Sequence, residues 1–117
     1  PHAKEIQKGT FANNYNIRYV YGPYIKVIHD KAFLNCRNLS RLMVNKLEKI
    51  GEQALLGTTN LYHANLLNVE HFGKNSLRNT GIRQIANNVC KKLEQQAINF
   101  NPNLQSINFD ALKELNF

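Results

Sequence analysis

Tyr19, Arg41 and His63 stand 22 residues apart, and so do Tyr21, Met43 and Asn65. Aromatic, guanidinium and thioether groups of this kind do the chemistry of recognition, because they bring large contact area with few rotatable bonds or with adaptable shape. A second set, Lys26, Lys46, Lys49, Lys91 and Lys92 together with Lys113, would suit a polyanion, whose binding weakens steeply as salt rises. Bond-making chemistry has poorer prospects. The four histidines, His2, His29, His63 and His71, and the eight carboxylates form no Ser-His-Asp or Cys-His grouping and no facing carboxylate pair, and no Gly-rich phosphate loop accompanies them. Cys36 and Cys90 have no metal-ligand spacing and no further cysteines to pair with, so neither a metal, a cofactor nor a disulfide framework is expected. On this evidence the chain reads as a non-enzyme.

The spacing of the recognition residues belongs to a period that runs through the whole chain. Apolar anchors fall at Ile6, Ile28, Ile50, Phe72, Leu93 and Leu115, with separations of 22, 22, 22, 21 and 22. Four residues after each anchor sits a small residue (Thr10, Ala32, Ala54, Ser76, Ala97), followed at once by Phe11, Phe33, Leu55, Leu77 or Ile98. Three further apolar columns follow in every repeat: Ile17, Leu39, Leu61, Ile82 and Leu104; Val20, Leu42, Ala64, Ile85 and Ile107; and Ile25, Leu47, Val69, Cys90 and Leu112. The fourth repeat lacks one residue between Leu77 and Ile82, after which every column resumes. A stack of coils tolerates such a loss in a turn, whereas a core of irregular contacts does not. The repeats are residues 6–27, 28–49, 50–71, 72–92 and 93–114, with a partial unit at 115–117.

The unit Ala32-Phe33, Cys36, Leu39 and Leu42 resembles that of the BspA-like leucine-rich repeats, in which a small-aromatic pair is followed by Cys or Thr and then by spaced leucines. Leu77 to Ile82 looks like that family's shorter unit. The resemblance covers nearly the whole chain. It implies an α/β fold, a right-handed leucine-rich-repeat solenoid forming a horseshoe segment of about five coils, with a parallel sheet on one face and short helical turns on the other. It also implies adhesion or partner binding, in a secreted or cell-surface setting, and no shared catalytic residues.

Alternation of apolar residues at Leu42 and Val44 marks the strand of each coil. Its outward positions, released from packing, are Tyr19 and Tyr21, then Arg41, Met43 and Asn45, then His63, Asn65 and Leu67, then Gln84, Ala86 and Asn88, and last Ser106, Asn108 and Asp110. The face grades from aromatic and basic to amide and acidic. Asparagine precedes four strands, at Asn16, Asn38, Asn60 and Asn103, with Gly81 in the fourth repeat. Both residue types tolerate positive φ, so this ladder is expected to serve a repeated turn. The two cysteines fall in core columns more than two coils apart, too far to bridge, and are expected to be buried thiols.

The chain's 117 residues are 43% hydrophobic and 20% charged, enough to bury a core. Its apolar runs are too short to cross a bilayer, so no membrane insertion is expected. A formal charge of +7 favours acidic partners. With the repeat pattern cut at both termini, a piece of a longer array is expected, and its open ends are candidates for self-association. The functional expectation is a protein-recognition or adhesin-like scaffold working through the strand face, with polyanion binding through the lysine-rich edge as the alternative.

Overall fold

The computed structural model describes residues 3–94 and 96–115, and in it each repeat makes one coil of a parallel β-solenoid. The strands in chain order are β1 (Glu5–Ile6), β2 (Tyr19–Tyr21), β3 (Val27–Ile28), β4 (Arg41–Met43), β5 (Lys49–Ile50), β6 (His63–Ala64), β7 (His71–Phe72), β8 (Gln84–Asn87), β9 (Lys92–Leu93), β10 (Ser106–Phe109) and β11 (Glu114–Leu115). Odd-numbered strands carry the apolar anchors and stack into a narrow sheet, β1-β3-β5-β7 with β9-β11 beyond it. Even-numbered strands stack into a wide face, β2-β4-β6 followed by β8-β10. All pairs are parallel and one repeat apart, as in Leu42 opposite Val20 and Ile50 opposite Ile28.

Ile28, Phe33, Leu39, Leu42, Leu47, Ile50 and Leu55 lie together in one buried cluster, none of them more than 2% exposed. The small column works as the sequence requires: Ala32, Ala54, Ser76 and Ala97 are buried, which leaves room for Phe33, Leu55 and Leu77 to fill the space within each coil. Phe33 stacks on Phe11 of the coil before at 5.3 Å between ring centroids. The outer coils are the less covered ones. In coil 5, Ile98, Leu104, Phe109 and Leu112 are partly buried and Ile107 is 51% exposed.

The expected helical turns do not form; among the described residues there is no helix, and the class is β rather than α/β. The reason lies in where alternate amides go. Ala32, Leu34 and Cys36 donate their N–H groups to the carbonyls of His29, Lys31 and Phe33 three residues back, at 3.2, 3.2 and 3.1 Å. Lys31, Phe33 and Asn35 instead donate to Glu52, Ala54 and Leu56 in the next coil, at 3.0, 2.9 and 2.8 Å. An α-helix needs every amide for its own i−4 ladder, so a segment that sends every second one to its neighbour cannot be helical. The same alternation recurs at Gly9, Phe11 and Asn13 and at Gln53, Leu55 and Gly57.

This path needs two left-handed residues per coil, and they are not the asparagines expected. Positive φ occurs at Gly9, Lys31, Gln53, Asn75 and Gln96, and again four residues later at Asn13, Asn35, Gly57, Asn79 and Phe100. Asn38 and Asn60 serve the turn through their side chains: Asn38 donates to the Tyr15 carbonyl at 2.6 Å, and Asn60 to the Asn38 side-chain oxygen at 3.5 Å. Gly81 is required for closeness rather than for φ, since a Cβ there would lie 2.5 Å from the Thr59 carbonyl oxygen. Cys36 and Cys90 are buried and unpaired, as their columns imply.

Candidate recognition face

Because strand pairing is in register, the wide face places equivalent residues side by side. Tyr19 lies opposite Arg41 and Arg41 opposite His63, while Tyr21 lies opposite Met43. Tyr19 and Tyr21 point outward, 65% and 73% exposed, while Val20 between them turns toward the core. A one-residue slip would have exchanged these faces. Arg41 and His63 are exposed and Met43 is half-buried, so five of the six residues selected by spacing form one contiguous surface. Asn65 differs: it is half-buried, and its side-chain oxygen accepts the Leu67 N–H at 3.1 Å, which gives it a turn to hold. Gln84, Ala86, Asn88, Ser106, Asn108 and Asp110 are exposed on coils 4 and 5.

The lysines of the opposite edge do not form an uninterrupted ladder. Backbone hydrogen bonds place Glu48 beside Lys26 and Glu70 beside Glu48, while Lys113 neighbours Lys91. Lys49 sits between Val27 and His71 in the next column. The Lys46 ammonium lies 5.3 Å from the centre of the Tyr24 ring. Lys49, Lys91 and Lys92 line a broad groove of about 810 Å3, but Asp30, Glu52, Glu70 and Glu94 line it too. His29, at its margin, pairs with Glu5 at 2.5 Å.

A row that spacing alone did not single out lies just before the wide strands: Arg18, Ser40, Tyr62 and Arg83, each immediately ahead of an outward strand residue. All four line a cleft of about 410 Å3. The signal was present, since the row repeats with the same period. It was masked because these positions flank the strand pattern rather than alternate within it.

Beneath this row runs a polar column, Asn14, Cys36, Thr58, Thr80 and Asn101, that holds the turns. Thr58 donates to the Leu55 carbonyl at 2.7 Å, and the Asn101 amide donates to the Leu77 and Ile98 carbonyls at 2.6 and 2.7 Å. Cys36 fits here as a small, weakly polar member whose thiol lies 2.9 Å from the Phe11 carbonyl oxygen. Burial pushes the Cys36 thiol above its ordinary value of 9.0, with a backbone hydrogen bond working the other way. The family model of the BspA type leucine rich repeat region matches this solenoid in six copies over residues 1–97. The chain belongs to the BspA-type leucine-rich repeat family. No curated protein and no solved structure matches the chain.

The described residues of this BspA-type array contain no group of three or more His, Cys, Asp or Glu side chains placed to hold a metal ion, and no helix long and apolar enough to cross a membrane. This BspA-type array presents a sheet whose outward side chains are largely free of packing.

Proposed function

We propose that this BspA-type array is a protein-recognition scaffold whose working surface is the wide strand face of coils 1–3. The observation that carries the reading is the pairing of exposed Tyr19 and Tyr21 with Arg41, Met43 and His63 on one uninterrupted three-stranded sheet. Tyr and Arg dominate the energetics of protein interfaces, and a sheet buried on its inner side holds them at little entropic cost. The polyanion reading through the lysine edge is weaker, because Glu48 and Glu70 stand in the same column as Lys26 and Lys91. Adhesion at a cell surface, which the family resemblance suggests, is one setting in which such a face would work.

The test is capture of proteins by the immobilised chain compared with a Tyr21→Ala/Arg41→Ala variant. Both side chains are exposed, so the melting temperature should stay almost unchanged. Partners retained by the natural chain should be lost by the variant. Equal capture by the two would end the reading, and loss of binding together with loss of folding would not support it.

A further inference from the structure

The charges of this chain are sorted by face. Of its eight carboxylates, seven (Glu5, Asp30, Glu48, Glu52, Glu70, Glu94 and Glu114) lie in the narrow-sheet strands or within two residues of them, and Asp110 alone follows a wide strand. All five arginines, Arg18, Arg37, Arg41, Arg78 and Arg83, lie elsewhere, on the wide strands and the turns leading into them. Two of these are occupied: Arg37 covers the Tyr15 ring at 5.1 Å and Arg78 the Phe100 ring at 4.6 Å, each one coil away. Arg18, Arg41 and Arg83 are exposed, and among the described residues none makes an ion pair, side-chain hydrogen bond or ring contact.

Arg18 and Arg83 both line the 410 Å3 cleft, with Ser40, Thr59, Asn60 and Tyr62 in the coils between them, and no acidic residue among those that line it. We propose that this cleft binds the acidic side chains of an extended protein segment, with Arg18 and Arg83 each taking a carboxylate. The inference rests on the protein-recognition reading and names the chemistry of the partner. A guanidinium with no internal carboxylate keeps its forked donors for a ligand, and the match to a carboxylate is bidentate. The hydroxyl and amide groups between the arginines are suited to the polar backbone of an extended chain.

The spacing sets the register of that chain. Arg18 and Arg83 are three coils apart, roughly 14 Å at the usual separation of parallel strands. An extended segment rises about 3.3 Å per residue and returns to the same side every second residue, so acidic residues at i and i+4 span about 13 Å. The segment therefore runs along the solenoid axis, across the coils.

The experiment uses a fluorescent synthetic peptide carrying Glu at i and i+4 in a Ser/Thr background, with a Gln-for-Glu peptide as control, read by anisotropy against the intact chain. The Glu peptide should bind at least about tenfold more tightly than the Gln peptide, the scale of charge-assisted bidentate bonds. Arg18→Gln/Arg83→Gln should remove that preference, while Lys91→Ala/Lys92→Ala should change binding by less than about twofold, as expected of a distant exposed pair. Arg18→Lys/Arg83→Lys keeps the charge without the fork and should lose most of the preference; because both side chains are exposed, an unchanged melting temperature of each double variant excludes a folding artefact. Equal binding of the two peptides, equal loss through the lysine pair, or Arg18- and Arg83-dependent binding of a heparin oligosaccharide in place of the peptide would each overturn the proposal. Protein capture that depends on Tyr21 and Arg41 but ignores Arg18 and Arg83 would sink the cleft alone. Peptide binding that survives while capture ignores Tyr21 and Arg41 would sink the wider face alone.

Discussion

Between coils 1, 2 and 3 the wide strands pair without interruption, β2 to β4 to β6, whereas the pairing stops after coil 3 and resumes only as β8 with β10. The narrow sheet breaks one boundary later, between β7, which opens coil 4, and β9, which opens coil 5. Coil 4 is the one that lacks a residue, in the turn from β7 to β8, which both interrupted pairings flank. Side chains repair the seam. The buried Asn87 donates to the Leu66 and Val69 carbonyls of coil 3, both at 2.8 Å, and accepts the N–H groups of Val89 and Cys90 at 3.0 and 2.7 Å. Among the described residues, three of the four buried polar residues, Ser76, Thr80 and Asn87, are in this coil, so here side-chain hydrogen bonds from Thr80 and Asn87 add to the backbone bonds that join every coil to the next. Regular spacing lets the ladders run on; at the deletion particular side chains add to what the backbone still supplies.

The largest effect that would break this comparison concerns the regular half. Phe33→Ala removes a fully buried ring from the centre of coils 1–3 and should cost about 3–5 kcal/mol in urea unfolding. Ile107→Ala in coil 5, half-exposed, should stay within about 0.5 kcal/mol. Similar losses at the two sites would mean that the coils contribute evenly after all.

Asn87→Leu tests the seam itself. It would restore the apolar column of Val44 and Leu66 but leave two carbonyls and two amides without their partner, at a cost of about 2–3 kcal/mol. Native-state hydrogen exchange should then quicken in β8 and β10 before it quickens in β4. Stabilisation by this substitution would show that the seam needs no polar stitch.

Ser76→Ala should act in the opposite direction. The Ser76 hydroxyl is buried without a hydrogen-bond partner, and the same column is alanine in coils 2, 3 and 5. Removing it should stabilise by about 1 kcal/mol, read as a raised melting temperature.

The cysteines give the smallest effect and compare one residue from each half. Burial pushes both the Cys36 and the Cys90 thiol above the ordinary value of 9.0, so the folded state holds these protons more tightly than the unfolded chain does. Their contribution is complete below pH 9 and is lost as the pH rises through the folded-state values. Stability of the natural chain should therefore fall more steeply above pH 9 than that of a Cys36→Ala/Cys90→Ala variant. Neither thiol should react with a thiol-specific dye at pH 8 until denaturant is added.

The amino-acid sequence by itself determined the stack. Apolar residues recurring every 22 positions at several offsets can be buried together only if each repeat lies on the last, and this set the core columns, the strand register and the outward direction of Tyr19 and Tyr21. It also separated the recognition residues from the packing residues, because alternation within a strand assigns each side chain to one face. Only the tertiary structure decided the shape of the turns. The residues from the anchor to Cys36 carry no local mark that distinguishes a helical turn from a chain whose alternate amides bond forward, since those partners lie a full coil away in sequence. The same holds for the left-handed positions, which include Lys31 and Phe100, residues with no preference for positive φ that the coil-to-coil bonds nevertheless hold there. The cleft is likewise tertiary: Arg18 and Arg83 are 65 residues apart in the chain and meet one ligand-sized space only because the coils that carry them stack with two others between.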